Sequence, residues 1–535
     1  MIDGAAIPDE GHAVDDNAQE LETARPPADH ESELLLRREG STNSIELAGG
    51  ADTVEETRIE SLQSLESVID EIGTTRKHWA CVLTLGLANA SDAVEVLAIG
   101  YIVTVFKDPV TGRHIDELPE WSSLLTSSVF FGMLFGGLFS GGLGDRFGRK
   151  PLLSSSLALN ASSAMLSALT ILLPAGFQLY WLVFFRFIGG LGVGGSVPAA
   201  FALGSELGPA TSRSNFINCI ACFWSVGVLY TSICAYVLLH GSPERGNNWP
   251  YFAALVALPA SLAGLLCLTI LEESPRYLWI VGEREKAASV LYRFAGSSQH
   301  DGGELQKCIK DLSSKYPTQR VITASSTFTS ILVVLRNMKA VILGPTRRRL
   351  MLLCGIFSAL SFAHYGISLW ISDLFRKVHF DDPYITSIFY TLATVPGLVA
   401  AIMLLDRIGR RYLTGGSMFV ACIAAFLFAM SGEMKWLVVL SAGLFNASAA
   451  SAWSGLDLFS AELLPAQVRS TGLGITIAFG RVGSVFANVY NSFVLAGDDD
   501  AMSVNIVLLS ASVAMLVAAA LVFRLPETMG VSHLA

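Results

Sequence analysis

Hydrophobic residues along this chain fall into a dozen long blocks separated by short polar breaks, and few blocks show the alternation of a half-buried strand. Six apolar stretches cover residues 79–106, 121–140, 151–173, 180–203, 216–239 and 249–271. After a polar interval the same density returns over 350–374, 384–405, 412–430, 436–460, 471–495 and 504–523. Each is long enough as a helix to cross an apolar layer of about 30 Å. The pattern predicts an all-α membrane protein with twelve transmembrane helices in two six-helix halves, 79–271 and 350–523.

The intervening segments complete the plan. Residues 1–61 are rich in Pro, Glu, Ser and Asp, which predicts a disordered acidic tail unable to offset chain entropy by burial. Within 62–78 the run LQSLESVIDEI returns to helical periodicity, so a short amphipathic helix is expected to lie against the inner membrane face. No apolar run precedes Trp79, and the first span is therefore expected to serve as the targeting signal. The middle loop, 272–349, carries Arg284, Lys286, Arg293, Lys307, Lys310, Arg347, Arg348 and Arg349. Positive loops stay in the cytoplasm, which puts both termini, including the 524–535 tail, on that side. The loops with Asp108, Asp116, Glu117 and Glu120 and with Asp498, Asp499 and Asp500 then face outward.

Composition agrees with a lipid solvent. The 535 residues are 52% hydrophobic and 15% charged, and the net charge of -10 belongs to the acidic tail. No basic patch suited to nucleic acid is present. Of eight cysteines, Cys81, Cys219, Cys222, Cys234, Cys267, Cys354 and Cys422 fall inside apolar blocks, which disfavours a disulfide framework. The Cys219 and Cys222 pair shares one face of a buried helix, a packing arrangement more than a redox or metal motif. Sequons at Asn89, Asn160 and Asn446 lie within spans, beyond the reach of a glycosylating enzyme. Gly189, Gly190, Gly192, Gly194 and Gly195 imitate a dinucleotide fingerprint but follow no strand; small residues in a span instead allow helices to pack closely. With no nucleotide loop, metal-spaced cluster or nucleophile motif, neither an enzyme nor a cofactor is expected.

Between the second and third spans stands GGLGDRFGRK, residues 141–150, a tight turn in which glycines allow two helices to approach and Asp145, Arg146 and Arg149 supply charge. The second half carries a partial copy, Asp406, Arg407, Ile408, Gly409, Arg410 and Arg411, with Ile402 at a position where glycine would be expected. Glu206, Pro209 and Arg213 after the fourth span return as Glu462, Pro465 and Arg469 after the tenth. Glu273, Ser274, Pro275 and Arg276 follow the sixth span; Pro526, Glu527 and Thr528 follow the twelfth. This duplicated set resembles the signature loops of the major facilitator superfamily and the corresponding motifs of its sugar-porter-like group. It implies the major facilitator fold and assigns the charged members to gating.

Further stretches, Ile72-Gly73, Asp92-Ala93-Val94-Glu95, Phe223-Trp224-Ser225-Val226-Gly227, His364-Tyr365-Gly366, Val395-Pro396-Gly397 and Arg481-Val482-Gly483, resemble the synaptic vesicle protein and organic ion transporter branch. The seventh span lacks the paired glutamines and the asparagine with which sugar porters hold hydroxyls, which disfavours sugar. Asp457 stands where relatives tend to carry an aromatic residue. The resemblance implies a secondary transporter, proton-coupled, for a small organic ion with an anion or carboxylate favoured. The expected partners are substrate, protons and the bilayer, in a monomer of the plasma membrane or a vesicle membrane. A facilitated uniporter, and a receptor or scaffold that keeps the fold without turnover, are the alternatives.

Ionisable residues inside spans cost about 2.5 to 3.5 kcal/mol and need a partner or a task. Asp92 lies 13 residues after Trp79, roughly 20 Å deep, and Arg186 lies 6 residues after Tyr180, roughly 9 Å from the opposite surface. The two depths coincide, so these residues are expected to pair, as the resemblance also implies. Glu95 shares the helical face of Asp92, and Asp92, Glu95 and Arg186 form the candidate coupling set. Arg481, near the bilayer centre, is a candidate for an anionic substrate; Phe223, Trp224, His364, Tyr365 and Trp453 are candidates to line the cavity. Asp457, nearer the inner face, joins the gating set as a candidate for an inner-gate salt bridge, with substrate contact as the alternative.

Overall fold

A computed structural model describes residues 62–240, 248–295, 343–344, 346–380, 382–432, 434–464, 469–497 and 500–529. The acidic tail and most of the middle loop lie outside the described residues. Among the described residues, twelve helices are long and apolar enough to cross a membrane. In the first half they are α1 Arg76–Val105, α2 Pro119–Ser140, α3 Arg149–Leu172, α4 Ala175–Leu207, α5 Arg213–Leu239 and α6 Trp249–Thr269. In the second they are α7 Arg347–Ser368, α8 Pro383–Leu405, α9 Arg410–Met430, α10 Lys435–Leu463, α11 Thr471–Leu495 and α12 Ala501–Val522. The only β pairing among the described residues is an isolated bridge between Lys107 and His114.

Helix ends follow local chemistry. The second helix continues past the span to Phe147 and turns sharply at Gly148, whose φ of 103° is closed to residues with a Cβ; Gly409, at φ 91°, makes the same turn between α8 and α9. Asp382 caps α8 by accepting hydrogen bonds from the Tyr384 and Ile385 N–H groups. The seventh span closes at Ser368, and a separate short helix, Ile371–Lys377, follows it at the Asp116 end of the bundle.

The glycine run of α4 packs helices closely. A Cβ on Gly190 or Gly194 would strike the Val129 or Met133 carbonyl of α2, and one on Gly132 or Gly136 of α2 would strike the Phe187 or Leu191 carbonyl of α4. Gly192 approaches the Ser156 carbonyl of α3 as closely. These contacts give the glycines a packing role in place of a nucleotide one. At the Gly148 end, residues 62–72 are helical, but Leu65, Val68 and Ile69 turn into a protein core with Trp279, Leu291 and Phe294. Asp70 accepts from the Ala210 N–H at 2.7 Å, and Glu66 pairs with Arg276 at 3.5 Å. The amphipathic face therefore finds its apolar partner in the helices Pro275–Val281 and Arg284–Ala295 rather than in lipid.

Contacts of α2 with α11 and of α5 with α8 join the halves. At the Asp116 end Gly100 of α1 lies against the Leu369 carbonyl of the other half, where a Cβ would collide with the backbone. Gly100→Val should hold the halves apart at that end while leaving each folded. A thiol placed at Ser372, 5% exposed, in a chain whose other cysteines are replaced, should then react several-fold faster with a polar maleimide. Unchanged reactivity would contradict the closure.

Candidate functional site

Two acids on one face of α1 have different surroundings. Glu95 Oε1 accepts a hydrogen bond from Arg186 Nη1 at 2.9 Å, and the two side chains are 1% and 0% exposed. Asp92, also fully buried, accepts from the Ser196 hydroxyl, at 2.8 Å to either oxygen. The Asn160 side chain faces the same carboxylate from α3. The expected pair of Asp92 with Arg186 is thus replaced by Glu95 with Arg186. Three residues along a helix advance it by about 4.5 Å, which carries Glu95 towards the level of Arg186 and leaves Asp92 opposite Ser196, ten residues further along α4. Gly189, one turn from Arg186, leaves the carboxylate room: a Cβ there would stand 2.6 Å from Glu95 Oε1 and 2.8 Å from Ser163 Oγ.

The second half supplies an aromatic and cationic wall. Arg481 Nη1 of α11 donates to the Tyr365 hydroxyl of α7 at 3.3 Å, with its guanidinium 5.8 Å from the ring centre. Trp453 Nε1 of α10 donates to His364 Nδ1 at 3.1 Å, which places the proton of a neutral imidazole on Nε2. Tyr365 meets Phe130 of α2 edge to face, with centres 5.1 Å apart, across the line between the halves. Asp457, one turn from Trp453 on the same face of α10, is exposed. The charge of Arg481 acts on both Asp457 and Asp92, so it spans the two halves. Phe223 and Trp224 are half-buried on α5, with Phe223 packed over Gly86 of α1.

The charged residues of the duplicated turns form two matching networks at the Gly148 end. Arg149 Nε stands 3.5 Å from Glu206, and Arg410 Nε stands 3.3 Å from Glu462. Each arginine also reaches back to the carbonyl five residues earlier, Gly144 or Leu405. Glu273 accepts from the N–H groups of Arg149, Lys150 and Ser274; Glu527 accepts from those of Arg410, Arg411 and Thr528. Burial pushes the Glu273 carboxyl up from its ordinary value, against the pull of those N–H groups and of the Arg149 charge. Arg146 is exposed, with its guanidinium 5.3 Å from the Phe147 ring, and Arg407 is exposed too. Arg213 begins α5 close enough to Arg276 for their charges to act on each other. The side chains of Asp145, Asp406 and Arg469 lie outside the described part.

At the other end, side chains tie the halves together. Arg376 binds Asp116 of the first half and Asp373 of its own helix. His240 Nε2 stands 2.8 Å from Asp382, Ser232 and Thr391 share a hydrogen bond at 3.1 Å, and Tyr101 stacks on Tyr384. Sequence reasoning missed these residues: Asp116 reads as a loop acid, and Arg376 stands 260 positions away. It also missed Ser196 and Asn160, whose residue types carry no signal in a helix. Asn446, once set aside as a sequon, bridges α10 to α8 through the Tyr390 carbonyl and Thr394.

A family model described as "Sugar (and other) transporter" matches residues 79–534. Human synaptic vesicle glycoprotein 2B is 24% identical over 97% of this chain and 94% of its own length. The niacin transporter of Acinetobacter baylyi is 28% identical over 87% of this chain and 98% of its own. The xylose transporter of E. coli, in a partially occluded inward open conformation, superposes with a TM-score of 0.67 at 19% identity, over 86% of this chain and all of its own, which shows a shared fold.

The two acids of α1 should respond differently to substitution. Arg186→Leu leaves Glu95 as an uncompensated buried charge and should cost about 3 to 5 kcal/mol, part of which Glu95→Gln should restore in the double variant. Asp92→Asn, which removes no ion pair, should cost far less. Thermal unfolding of the purified variants checks the order, and equal losses for Arg186→Leu and Asp92→Asn would contradict it.

Proposed function

Because the chain belongs to the sugar (and other) transporter family, we propose that it is a secondary active transporter that moves a small organic ion, a carboxylate favoured, together with a proton by alternating access. The observation that carries this reading is that Arg481, in one half, is near enough for its charge to act on Asp92, an acid of the other half held by Ser196. A substrate carboxylate that takes the guanidinium competes with Asp92 for it. Asp92 then loses a favourable charge and binds a proton more readily, so anion and proton favour each other's binding, as linkage requires. With both charges neutralised the site can be enclosed at low electrostatic cost, and one half can rock against the other. The Glu95 and Arg186 pair keeps its charges matched throughout. Asp457, exposed one turn from Trp453, is a second acid on which the Arg481 charge acts.

Several features support the choice of substrate and state. A relative's name carries niacin, a pyridine carboxylate, and the wall of Tyr365, Trp453 and His364 suits a flat ring. The basic residues after α6 favour a cytoplasmic position for the Gly148 end. The ties at the Asp116 end then belong to the outer or luminal side, and the structure reads as the state closed to that side. In the opposite state, Asp145 and Asp406 would join the Arg149 and Arg410 networks in holding the cytoplasmic end shut. Residence in the plasma membrane or in a vesicle membrane fits this orientation.

Proteoliposomes loaded with labelled nicotinate, and then with a panel of small carboxylates, test the coupling. Under an imposed pH difference the wild type should accumulate one of them above equilibrium. Asp92→Asn should bring the accumulation ratio to about one while preserving exchange between equilibrated compartments. Accumulation by Asp92→Asn under the same pH difference would contradict the assignment. Uptake by the wild type with no accompanying proton flux would mark a uniporter, and binding without uptake a receptor.

A further inference from the structure

The ties at the Asp116 end include a cluster whose charges do not balance. Arg376 bonds to Asp373, one turn earlier on the helix Ile371–Lys377, and to Asp116, in the three-residue turn of helix Ile115–Glu117 of the other half. The side chains of Asp116 and Asp373 are 6% and 1% exposed, against 44% for Arg376, so the guanidinium is the part of the cluster that solution touches. Two carboxylates share one guanidinium, and Asp116 Oδ1 and Asp373 Oδ2 are buried without a hydrogen-bond partner.

The surrounding groups offset this imbalance only in part. Lys377, on the same helix, acts on Asp373 less strongly than Asp116 does. Glu117 is engaged by Arg113 at 3.4 Å, and His114 precedes it with Nδ1 buried and unpartnered. From α8, Tyr384 feels the charge of Arg376; from α1, Tyr101 stacks on Tyr384 with ring centres 6.1 Å apart. The span of α12 carries no titratable residue. His240 and Asp382 make a separate tie between the halves at the same end.

We propose that Asp116, Arg376 and Asp373 form a proton-sensing latch: a proton taken up by Asp373 removes its repulsion of Asp116 and holds the halves closed at that end. Like charges around one counterion cannot both be fully satisfied, and a proton on one of them relieves the excess. Burial, opposed by Arg376 and reinforced by the Asp116 charge, pushes the Asp373 carboxyl up from its ordinary 3.8. When the halves part, Asp116 withdraws and water enters, so both upward pushes relax. Asp373 therefore binds its proton more tightly in the closed state. Acid on this side favours closure, and that contribution is lost as pH rises through the closed-state value. A transporter with an acidic compartment on this side would be held facing the other one. The latch rests on the alternating-access reading and on neither the substrate nor the coupling proton.

The test uses the full chain in lipid nanodiscs, with spin labels on unnatural residues at Val110 and Trp436, which are 69% and 66% exposed at this end of opposite halves. Lowering pH from about 7.5 to about 5 should raise the ratio of short to long distances several-fold, because the closed state binds the proton more tightly. Asp373→Asn should show the short distance at every pH, Asp373→Glu should keep the response, and the response should persist in Asp92→Asn and in His240→Gln. The latch is overturned if the wild type shows no response, if Asp373→Asn responds like the wild type, or if the response disappears in Asp92→Asn or His240→Gln.

Discussion

A charge taken from water into the centre of an apolar bundle must be neutralised by a fixed partner or by a proton, and the pair of Glu95 and Arg186 shows the first solution. Both side chains are sealed from solvent, and glycine at 189 makes the space for the carboxylate. Once Arg186 is committed, Asp92 must be stabilised by other means. It lies against a hydroxyl, with the Arg481 charge acting on it from the other half. One turn of helix thus separates an acid paired with a buried arginine from one held by a hydroxyl.

Packing within each half differs in kind from the ties between the halves. Within the first half, glycines let α2 and α4 approach backbone to backbone. At the Gly148 end, each half is braced by its own glutamates: Glu206 and Glu273 around Arg149, Glu462 and Glu527 around Arg410. Carboxylates that accept several N–H groups at a helix start fix that start in place. Between the halves, the ties include ion pairs, a hydroxyl contact and ring edges, besides the close approach of Gly100 to the Leu369 carbonyl. Under the proposed alternating access, the polar ties between the halves are the ones that would break and re-form.

Much of this was legible from sequence because the signals are long or repeated. Apolar blocks of about twenty residues announce spans, and the duplicated Gly-Arg-Arg/Lys turn and its partner glutamates announce two equivalent halves. The identity of the acid that meets Arg186 was not legible. Span ends read from hydropathy are uncertain by about 2 to 4 residues, which is the offset between Asp92 and Glu95, so depth alone could not separate them. Ser196 and Asn160 were invisible because small polar residues in membrane helices usually bond to their own backbone, as Ser163 does to Asn160. The docking of residues 62–72 onto protein was hidden for a related reason: an amphipathic face shows that an apolar partner exists, without showing whether it is lipid or another helix.

The central claim is that Asp92, rather than Glu95, carries the exchangeable proton, and infrared difference spectroscopy of the full chain in nanodiscs during acid titration tests it without any substrate. The account predicts a protonated-carboxyl band that disappears in Asp92→Asn and persists in Glu95→Gln. A band that persists in Asp92→Asn and disappears in Glu95→Gln would contradict it.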